Sequence, residues 1–304
     1  MSFYLAVDSG GTKTDYLLAD DRRELARVRT DTIKRMRTDA ATATRHLESA
    51  LAQLTRKSGI PMSIVTCTCI GTAGETVSLV TDWIREAFFA RVAGELILLG
   101  DVEIALDAAF PGQPGAIVLA GTGSNVAGRT HAGAMTSAGG WGPALADQGS
   151  GHRIGHSALR AAFLACDEGR DSSLIDAFLL TWNLHAIEEL IEFANRIPSP
   201  DFSTLTTLVV RCAAQGDAVA QAVLQQEGAD LGYLIRLVMR RLRATSPDAS
   251  WTPPVAFAGS IMERVAPVRQ ALIDDVCKEF PDVKTLDGVV DPIAGALWRA
   301  RAGR

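Results

Sequence analysis

A glycine-rich segment near the start of the chain combines groups that can hold phosphate. Asp8 ends a short apolar stretch and is followed by Ser-Gly-Gly-Thr-Lys-Thr. Glycines let backbone N–H groups approach an anion closely, while the hydroxyl of Thr12 and the ammonium of Lys13 add a donor and a charge. The residues that follow predict a strand, which excludes a P-loop or dinucleotide motif because both open a helix. The pattern favours a β-hairpin turn that cradles phosphate, with an ordinary hairpin turn as the alternative.

A second glycine loop repeats this pattern in the middle of the chain. An apolar run leads into Gly121, Thr122, Gly123 and Ser124, and another predicted strand follows. Two such hairpins facing each other would clasp the phosphates of one nucleotide across a cleft. The carboxylate of Asp8 could then hold Mg²⁺ through water, since Mg²⁺ keeps much of its hydration shell in proteins.

An isolated acidic residue, Asp101, follows the apolar strand predicted at Leu96–Leu99. A carboxylate within hydrogen-bond reach of an alcohol can orient the hydroxyl and accept its proton. Phosphoryl transfer needs little more than such positioning together with charge neutralisation. Because Gly-Asp also precedes a short predicted helix, a helix cap is the alternative role, and one residue can serve both.

The stretch from Ser137 to Gly151, SAGGWGPALADQGSG, combines glycines with an aromatic and an acidic side chain. Gly140 allows the backbone to approach a ligand closely, and Trp141 offers an apolar wall. Asp147 can accept hydrogen bonds from hydroxyls. Gly151 begins a predicted helix, whose first N–H groups favour acceptors. Core packing of Trp141 and helix capping by Asp147 are the alternatives.

Short apolar strands alternate with amphipathic helices, which predicts an α/β fold. Strands are expected at 3–7, 15–19, 63–71, 96–99, 116–120, 125–129 and 255–258, and helices at 40–56, 75–91, 152–166 and 291–302. Residues 172–244 are predicted to be almost wholly helical. A break at Pro-Gly-Gln-Pro separates two domains, 1–112 with a C-terminal helix at 290–304, and 113–289 with a helical insertion.

Composition excludes several classes of function. Lys and Arg number 30 against 35 Asp and Glu, and the net charge of −5 argues against a broad nucleic-acid surface. The longest uncharged stretch, 108–128, is interrupted by Pro and Gly, so a lipid-facing helix is not expected there. Neither a nucleic-acid partner nor a membrane is therefore expected.

The five cysteines are an odd number and no export signal is apparent, which predicts reduced thiols and a cytoplasmic location. Cys67 and Cys69 would share one face of a strand, where a metal pair is possible. No second Cys/His pair with useful spacing follows. Buried structural thiols are therefore the favoured interpretation.

Five segments occur here in the order found in N-acetylglucosamine kinases. They are Asp-Ser-Gly-Gly-Thr-Lys-Thr, Gly-Thr-Gly-Ser-Asn, Gly-Gly-Trp-Gly, Asp-Gln-Gly-Ser-Gly and Ala-Gly-Ser at 258–260. The chain thus resembles the BadF-type (BadF/BadG/BcrA/BcrD) ATPase family, within the sugar kinase, heat-shock ATPase and actin superfamily. The resemblance implies a two-lobed actin-like ATPase (ribonuclease H-like) fold with duplicated β-sheet domains and a nucleotide cleft between them.

The resemblance also implies a function and its residues. It implies an ATP-dependent kinase that phosphorylates an amino sugar, first of all N-acetylglucosamine at its 6-hydroxyl, with ATP and Mg²⁺ and as a homodimer. Asp101 matches the catalytic base, and Asp8 matches the residue that organises Mg²⁺. The ATP-binding matches are Gly10, Gly11, Thr12, Lys13, Thr14, Gly121, Thr122, Gly123, Ser124, Gly259 and Ser260. The sugar-binding matches are Thr72, Asp101, Thr122, Gly123, Gly140, Trp141, Asp147 and Gly151.

Two departures from the family pattern leave alternatives open. The segment Thr30–Arg35 lacks the Asn common there, and Gln148 replaces a usual acidic residue. Glucosamine or N-acetylmuramic acid is an alternative substrate, and Lys34 could meet an acidic substituent. An ATPase activator of a 2-hydroxyacyl-CoA dehydratase is an alternative of another class, although no cysteine lies near the second loop. A non-catalytic sugar sensor is a third, but the retained Asp8 and Asp101 argue against it.

Overall fold

The computed structural model describes residues 1–303; Arg304, the end of the expected C-terminal helix, lies outside the described residues. The chain divides into two compact units. Unit 1 comprises Met1–Ile117, Ala127–Met135 and the chain from Val290 onwards, and unit 2 comprises Val118–Val126 and Thr136–Val289. The division passes through three strands of the second sheet, so that each of those strands contributes to both units.

The elements alternate as expected of an α/β fold. The strands are β1 Phe3–Ser9, β2 Lys13–Asp20, β3 Glu24–Asp31, β4 Cys67–Thr72, β5 Glu95–Leu99, β6 Gly115–Ala120, β7 Ser124–Arg129, β8 Met135–Gly139 and β9 Val255–Ala258. The helices are α1 Ala40–Ser58, α2 Ser78–Phe89, α3 Asp101–Ala109, α4 Gly151–Asp167, α5 Leu174–Trp182, α6 Ile187–Asn195, α7 Thr206–Ala214, α8 Ala218–Ala244, α9 Ser260–Arg264, α10 Ala266–Cys277 and α11 Pro292–Ala302. The first sheet has the order β3-β2-β1-β4-β5 and the second β8-β7-β6-β9.

Some expected element bounds are wrong. The strand expected at 63–71 begins only at Cys67, because Met62–Ile64 form a single 3-10 turn after Pro61. The helix expected at 75–91 begins at Ser78, since Gly74 takes a positive φ of 85° and a turn follows it. Strands β3 and β8 were not predicted. Both lie at the edge of a sheet, and few of their residues are buried: two of eight in β3 and none in β8.

Alternation along the strands of unit 1 divides its core between the two faces of the sheet. Leu5 and Val7 belong to a cluster with α1 and α2. Ala6 points the other way and joins Cys67 and Cys69 in a cluster with α3 and α11. Both thiols are buried and reduced, which confirms the structural interpretation. No group of three His, Cys, Asp or Glu within residues 1–303 could hold a metal ion.

Helix α3 is fixed by close backbone contacts on two sides. A Cβ atom at Gly71 of β4 would clash with the side chain of Ile104, and a Cβ atom at Gly295 of α11 would clash with the Ile104 carbonyl oxygen. Only glycine permits these approaches. The sheet and α11 therefore determine where the first residue of α3, Asp101, lies.

A buried ion network holds the other end of α3. The carboxylate of Asp107 is fully buried and accepts a hydrogen bond of 2.6 Å from the Arg129 guanidinium. Arg299 of α11 donates to the second oxygen of Asp107 through Nε at 3.0 Å. A buried carboxylate is stable only when such partners compensate its lost hydration.

Unit 2 is mainly helical around its part of the second sheet. The expected run of helices over 172–244 is confirmed as α5 to α8. Helix α8 packs closely on α10, because Gly228 and Gly232 leave no room for a side chain there. None of the helices in the described part of the chain has the length and apolar character that a bilayer crossing needs.

Loss of the buried ion pair is expected to destabilise the protein. The substitution Arg129→Met removes one of the two cations that face Asp107, and we expect the free energy of unfolding to fall by about 3 kcal/mol. Urea unfolding followed by circular dichroism measures this loss. The control Arg170→Met breaks the exposed pair with Glu168 and should cost less than about 1 kcal/mol. Equal losses in the two variants would contradict the role of the network.

Candidate active site

Three predicted site residues of unit 1 emerge at the same edge of its sheet. Strands β1, β4 and β5 run parallel, and their register aligns Asp8 with Gly71 and Gly71 with Leu99. Thr72 is the partner of Ser9 one residue further on. Asp101 follows β5 by two residues. The carboxyl ends of parallel strands are where open α/β sheets bind ligands, and this edge therefore forms the candidate site of unit 1.

The first glycine segment is the turn of a β-hairpin, as expected. Strand β1 pairs antiparallel with β2, and the N–H of Gly10 donates to the carbonyl of Lys13 at 3.0 Å. Thr32, the residue directly after β3, holds this turn in place. Its hydroxyl donates a hydrogen bond to the Gly10 carbonyl at 2.8 Å, and its N–H donates one to the Thr12 carbonyl at 3.2 Å. These bonds occupy carbonyl groups, and the exposed side of the turn carries Thr12 and Lys13.

Thr14 differs from the other residues of this segment. Its side chain is fully buried, and its hydroxyl accepts a hydrogen bond from the N–H of Ile33 at 3.2 Å. This contact holds the segment after β3 against the hairpin. A phosphate contact from Thr14 stays a prediction.

The two carboxylates at this edge, Asp8 and Asp101, both have raised pKa values. The pKa of Asp8 is raised to about 7, first by burial and next by the carboxylate of Asp101. Asp15 and Asp291 raise it further, and Lys13 opposes them. The accumulated negative charge makes this position favourable for a cation.

Asp101 has a similar but weaker shift. Burial raises its pKa to about 6, while the ammonium of Lys34 and the N–H of Val102 lower it and the carboxylate of Glu75 raises it. The N–H of Val102 donates to Oδ1 of Asp101 at 2.8 Å. The capping alternative is not met, since Gly100 occupies the cap position of α3 and Asp101 is the first residue of the helix.

The donor set around Asp8 fits a hydrated magnesium ion. Mg²⁺ prefers carboxylate oxygen and commonly binds through one or two carboxylates while keeping several waters. Asp8 provides such an oxygen beside a glycine turn, in a region where other carboxylates create excess negative charge. Such an ion does not need a cage built wholly from protein ligands.

The second glycine loop lies in unit 2 and is bound to the start of α4. The N–H of Gly121 donates to the carbonyl of Gly123 at 2.8 Å. The first N–H groups of α4 donate to the loop: Gly151 to Gly121 at 2.8 Å and His152 to Thr122 at 3.3 Å. The acceptors that these helical N–H groups favour are therefore loop carbonyls, and a sugar contact from Gly151 stays a prediction. Gly151 holds the loop in place.

Gly259 and Ser260 lie beside this loop, and their contact with the nucleotide stays a prediction. Gly259 has a φ of 90°, and a Cβ atom there would clash with the carbonyl oxygen of Ala120. Ser260 begins α9, and its Oγ lies 3.9 Å from the place where a Cβ of Gly121 would be. The structure thus brings three segments of unit 2 together around the second loop.

The stretch expected to bind sugar is exposed or half-buried and irregular over residues 140–145, whereas its end, from Ala146 to Gly151, is mostly buried. Gly140 has a φ of 73°, and the side chain of Asn125 occupies the place of its missing Cβ. Trp141 is 75% exposed, so the core-packing alternative for this residue is wrong. An exposed indole can serve as the wall of a sugar site.

Asp147 is a strained residue in the same unit. Its φ is 65°, a left-handed conformation that is uncommon outside glycine. Its side chain is buried, and Oδ2 lies 3.0 Å from the place where a Cβ of Gly123 would be. The structure therefore brings Asp147 next to the second glycine loop. Strain of this kind concentrates at functional sites.

Two residues near the candidate site of unit 1 act electrostatically on Asp101. Glu75 was not predicted to belong to the site, and Lys34 was expected only as a contact for an acidic substituent. Glu227 of α8, in unit 2, was not predicted either; it is buried, and its carboxylate accepts hydrogen bonds from Gly149 and Ser157. A sequence signal for Glu227 existed, because it stands at helical spacing between apolar residues on the buried face of α8.

Comparison with known proteins gives consistent matches over the whole chain. A sequence model of the BadF/BadG/BcrA/BcrD ATPase family matches residues 5–300. The chain is 26% identical over 310 residues to an N-acetylmuramic acid/N-acetylglucosamine kinase of Clostridium acetobutylicum, covering 99% of each chain. It is 26% identical to an N-acetyl-D-glucosamine kinase of Dictyostelium discoideum, covering 98% of this chain and 97% of that one.

A solved structure is similar over nearly the full length. A structural-genomics target from Chromobacterium violaceum, assigned as an N-acetylglucosamine kinase, superposes with a TM-score of 0.74 at 27% identity and covers 98% of both chains. The likeness confirms the expected α/β fold of the actin-like ATPase and sugar-kinase class.

The charges around Asp101 yield opposite expectations for two variants. Lys34→Met removes the ammonium and should raise the pKa of Asp101 above about 6, whereas Glu75→Gln removes a carboxylate and should lower it. Carbon-13 NMR titration of the aspartate carboxyls measures both shifts. Lys57→Met is the control, because the Lys57 ammonium donates to the backbone carbonyl of Arg27. This variant should leave the pKa of Asp101 unchanged. Shifts of the same sign in the first two variants would refute this electrostatic picture.

Proposed function

Because the chain belongs to the BadF/BadG/BcrA/BcrD ATPase family, we propose that it is an ATP-dependent kinase for N-acetylglucosamine that acts on the 6-hydroxyl. The observation that carries the proposal is the half-buried pair Asp8 and Asp101 beside a glycine hairpin. One carboxylate of such a pair suits a hydrated cation and the other an alcohol. The names of the Clostridium and Dictyostelium relatives support N-acetylglucosamine as the acceptor.

Asp101 acts as the base. Its carboxylate accepts a hydrogen bond from the sugar 6-hydroxyl and takes the proton as the sugar oxygen bonds to the γ-phosphorus of ATP. The bond between that phosphorus and the β,γ-bridging oxygen breaks, and ADP leaves with the electron pair. A pKa of about 6 leaves Asp101 ionised at neutral pH while keeping it basic enough to accept a proton.

The phosphate-binding roles belong to the two glycine loops. Gly10, Gly11, Thr12, Lys13 and Thr14 contact the phosphates from unit 1. Gly121, Thr122, Gly123 and Ser124 do so from unit 2, with Gly259 and Ser260 beside adenine and ribose. Mg²⁺ held through water by Asp8 supplies charge neutralisation on the phosphates when bound.

The sugar-binding roles belong to residues at the sheet edge and in the glycine block. Trp141 is the exposed apolar surface against the sugar, and Asp147 accepts hydrogen bonds from hydroxyls. Thr72, Thr122, Gly123, Gly140 and Gly151 complete the set. Since Gly151 already donates its N–H to Gly121, its part is the close approach that glycine permits.

N-acetylmuramic acid is a second acceptor that a specific observation favours. The Clostridium relative is named for both sugars. Lys34 lies within electrostatic range of Asp101, and its ammonium would attract the carboxylate of the lactyl group.

The proposal further includes two domains, residues 1–112 with 290–304 and residues 113–289. It also includes a homodimer and a cytoplasmic location, where ATP is available.

Removal of the base is the first test of the proposed reaction. The wild-type protein should release ADP fastest with N-acetylglucosamine in a panel that includes glucosamine and N-acetylmuramic acid. Asp101→Asn should lower kcat by about 10²- to 10⁴-fold with ADP affinity retained in calorimetry. The exposed Asp82→Asn of α2 is the matched control and should retain wild-type turnover. Near-native turnover by Asp101→Asn would show that another group is the base.

The pH profile tests the same role. Protonated Asp101 cannot accept a proton, so kcat/KM should fall as the pH drops through about 6 and be level above it. Initial rates between pH 5 and 8.5 at saturating Mg²⁺ give the profile. An unchanged rate down to pH 5 would contradict a base with a raised pKa.

A further inference from the structure

We propose that Glu227 is a positioning residue for the sugar, because it anchors the segment that carries Asp147. The inference rests on the proposed function and concerns a residue of α8 that the proposed reaction does not use directly. Glu227 is buried on the face of α8 that lies against the Asp147–Gly151 segment. A buried carboxylate is costly unless hydrogen bonds compensate it, so its presence needs an explanation.

The two oxygens of Glu227 bind different elements. Oε2 accepts a hydrogen bond from the N–H of Gly149 at 2.8 Å, and Oε1 accepts one from the hydroxyl of Ser157 in α4 at 2.6 Å. The guanidinium of Arg153 lies 4.0 Å from Oε1. One side chain thereby connects the segment, α4 and α8.

The backbone of this segment requires such an anchor. Asp147 and Gly149 both have positive φ values, 65° and 70°. A side chain at position 149 would clash with Leu231 of α8, so the segment lies directly on that helix. A backbone in these conformations persists only when its surroundings determine it.

The anchor acts on Asp147 more than on the phosphate loop. Gly149 is two residues from Asp147, and a turn bond joins the Ser150 N–H to the Asp147 carbonyl at 3.0 Å. The phosphate loop is joined to this segment by one hydrogen bond, from the Ser124 hydroxyl to the Gln148 carbonyl at 2.7 Å, but its other end is held by α4, since Gly151 and His152 donate to Gly121 and Thr122. Loss of the Glu227 contact should therefore weaken sugar binding and leave ATP binding nearly intact.

The test compares KM values for the two substrates. Glu227→Gln keeps the size of the side chain but removes its charge. The hydrogen bond from Gly149 is then weaker, and the one with the Ser157 hydroxyl must reverse its direction, because the NH₂ group donates. We expect the KM for N-acetylglucosamine to rise about tenfold and the KM for ATP to stay within about twofold. Asp230→Asn, the same charge change one turn away on α8, is the control and should leave both KM values unchanged.

Ser157→Ala is a second, milder variant, and it tests the positioning role of Glu227 if Glu227→Gln does not fold. It removes one of the two partners of Glu227 and should raise the sugar KM about threefold, with ATP unaffected. An unchanged sugar KM, or an equal rise for both substrates, would overturn the inference. Wild-type protein that phosphorylates no sugar would instead overturn the proposed function, and the inference with it.

Discussion

The parallel register of β1, β4 and β5 is the constraint on which the site of unit 1 depends. It aligns Asp8 with Gly71 and Gly71 with Leu99, so that the acidic residues after two different strands reach one edge of the sheet. Burial raises the pKa of both carboxylates, and the charge of Asp101 raises that of Asp8 further. A cation at one carboxylate and a hydroxyl proton at the other would relieve the repulsion.

The rest of unit 1 keeps Asp101 at that edge. Missing side chains at Gly71 and Gly295 let β4 and α11 touch α3 from two sides, and Asp107 binds the far end of the helix to Arg129 and Arg299. A catalytic group at a rigid helix start loses little entropy when its substrate binds. Unit 2 uses a related device, because the start of α4 donates hydrogen bonds to the second glycine loop and so fixes its backbone.

Motifs with local causes could be predicted from the sequence, whereas residues that act across the fold could not. The hairpin at Asp8 followed from glycines and the strand after them, and Asp101 from its place behind an apolar strand. The roles of Lys34 and Glu75 depend on which segments the fold brings near Asp101, and Glu227 depends on a contact 78 residues away in the chain. The acceptors of the first N–H groups of α4 could not be predicted for the same reason, since they lie in a loop some thirty residues earlier in the chain.

The position of the acceptor hydroxyl is the most direct test of this account. A crystal structure of the protein with N-acetylglucosamine, Mg²⁺ and a non-hydrolysable ATP analogue would give the distance from the Asp101 carboxylate to the sugar 6-oxygen. The account predicts a hydrogen bond of about 2.6–3.2 Å. A 6-hydroxyl directed at a different base, or a sugar bound away from Asp101, would contradict it.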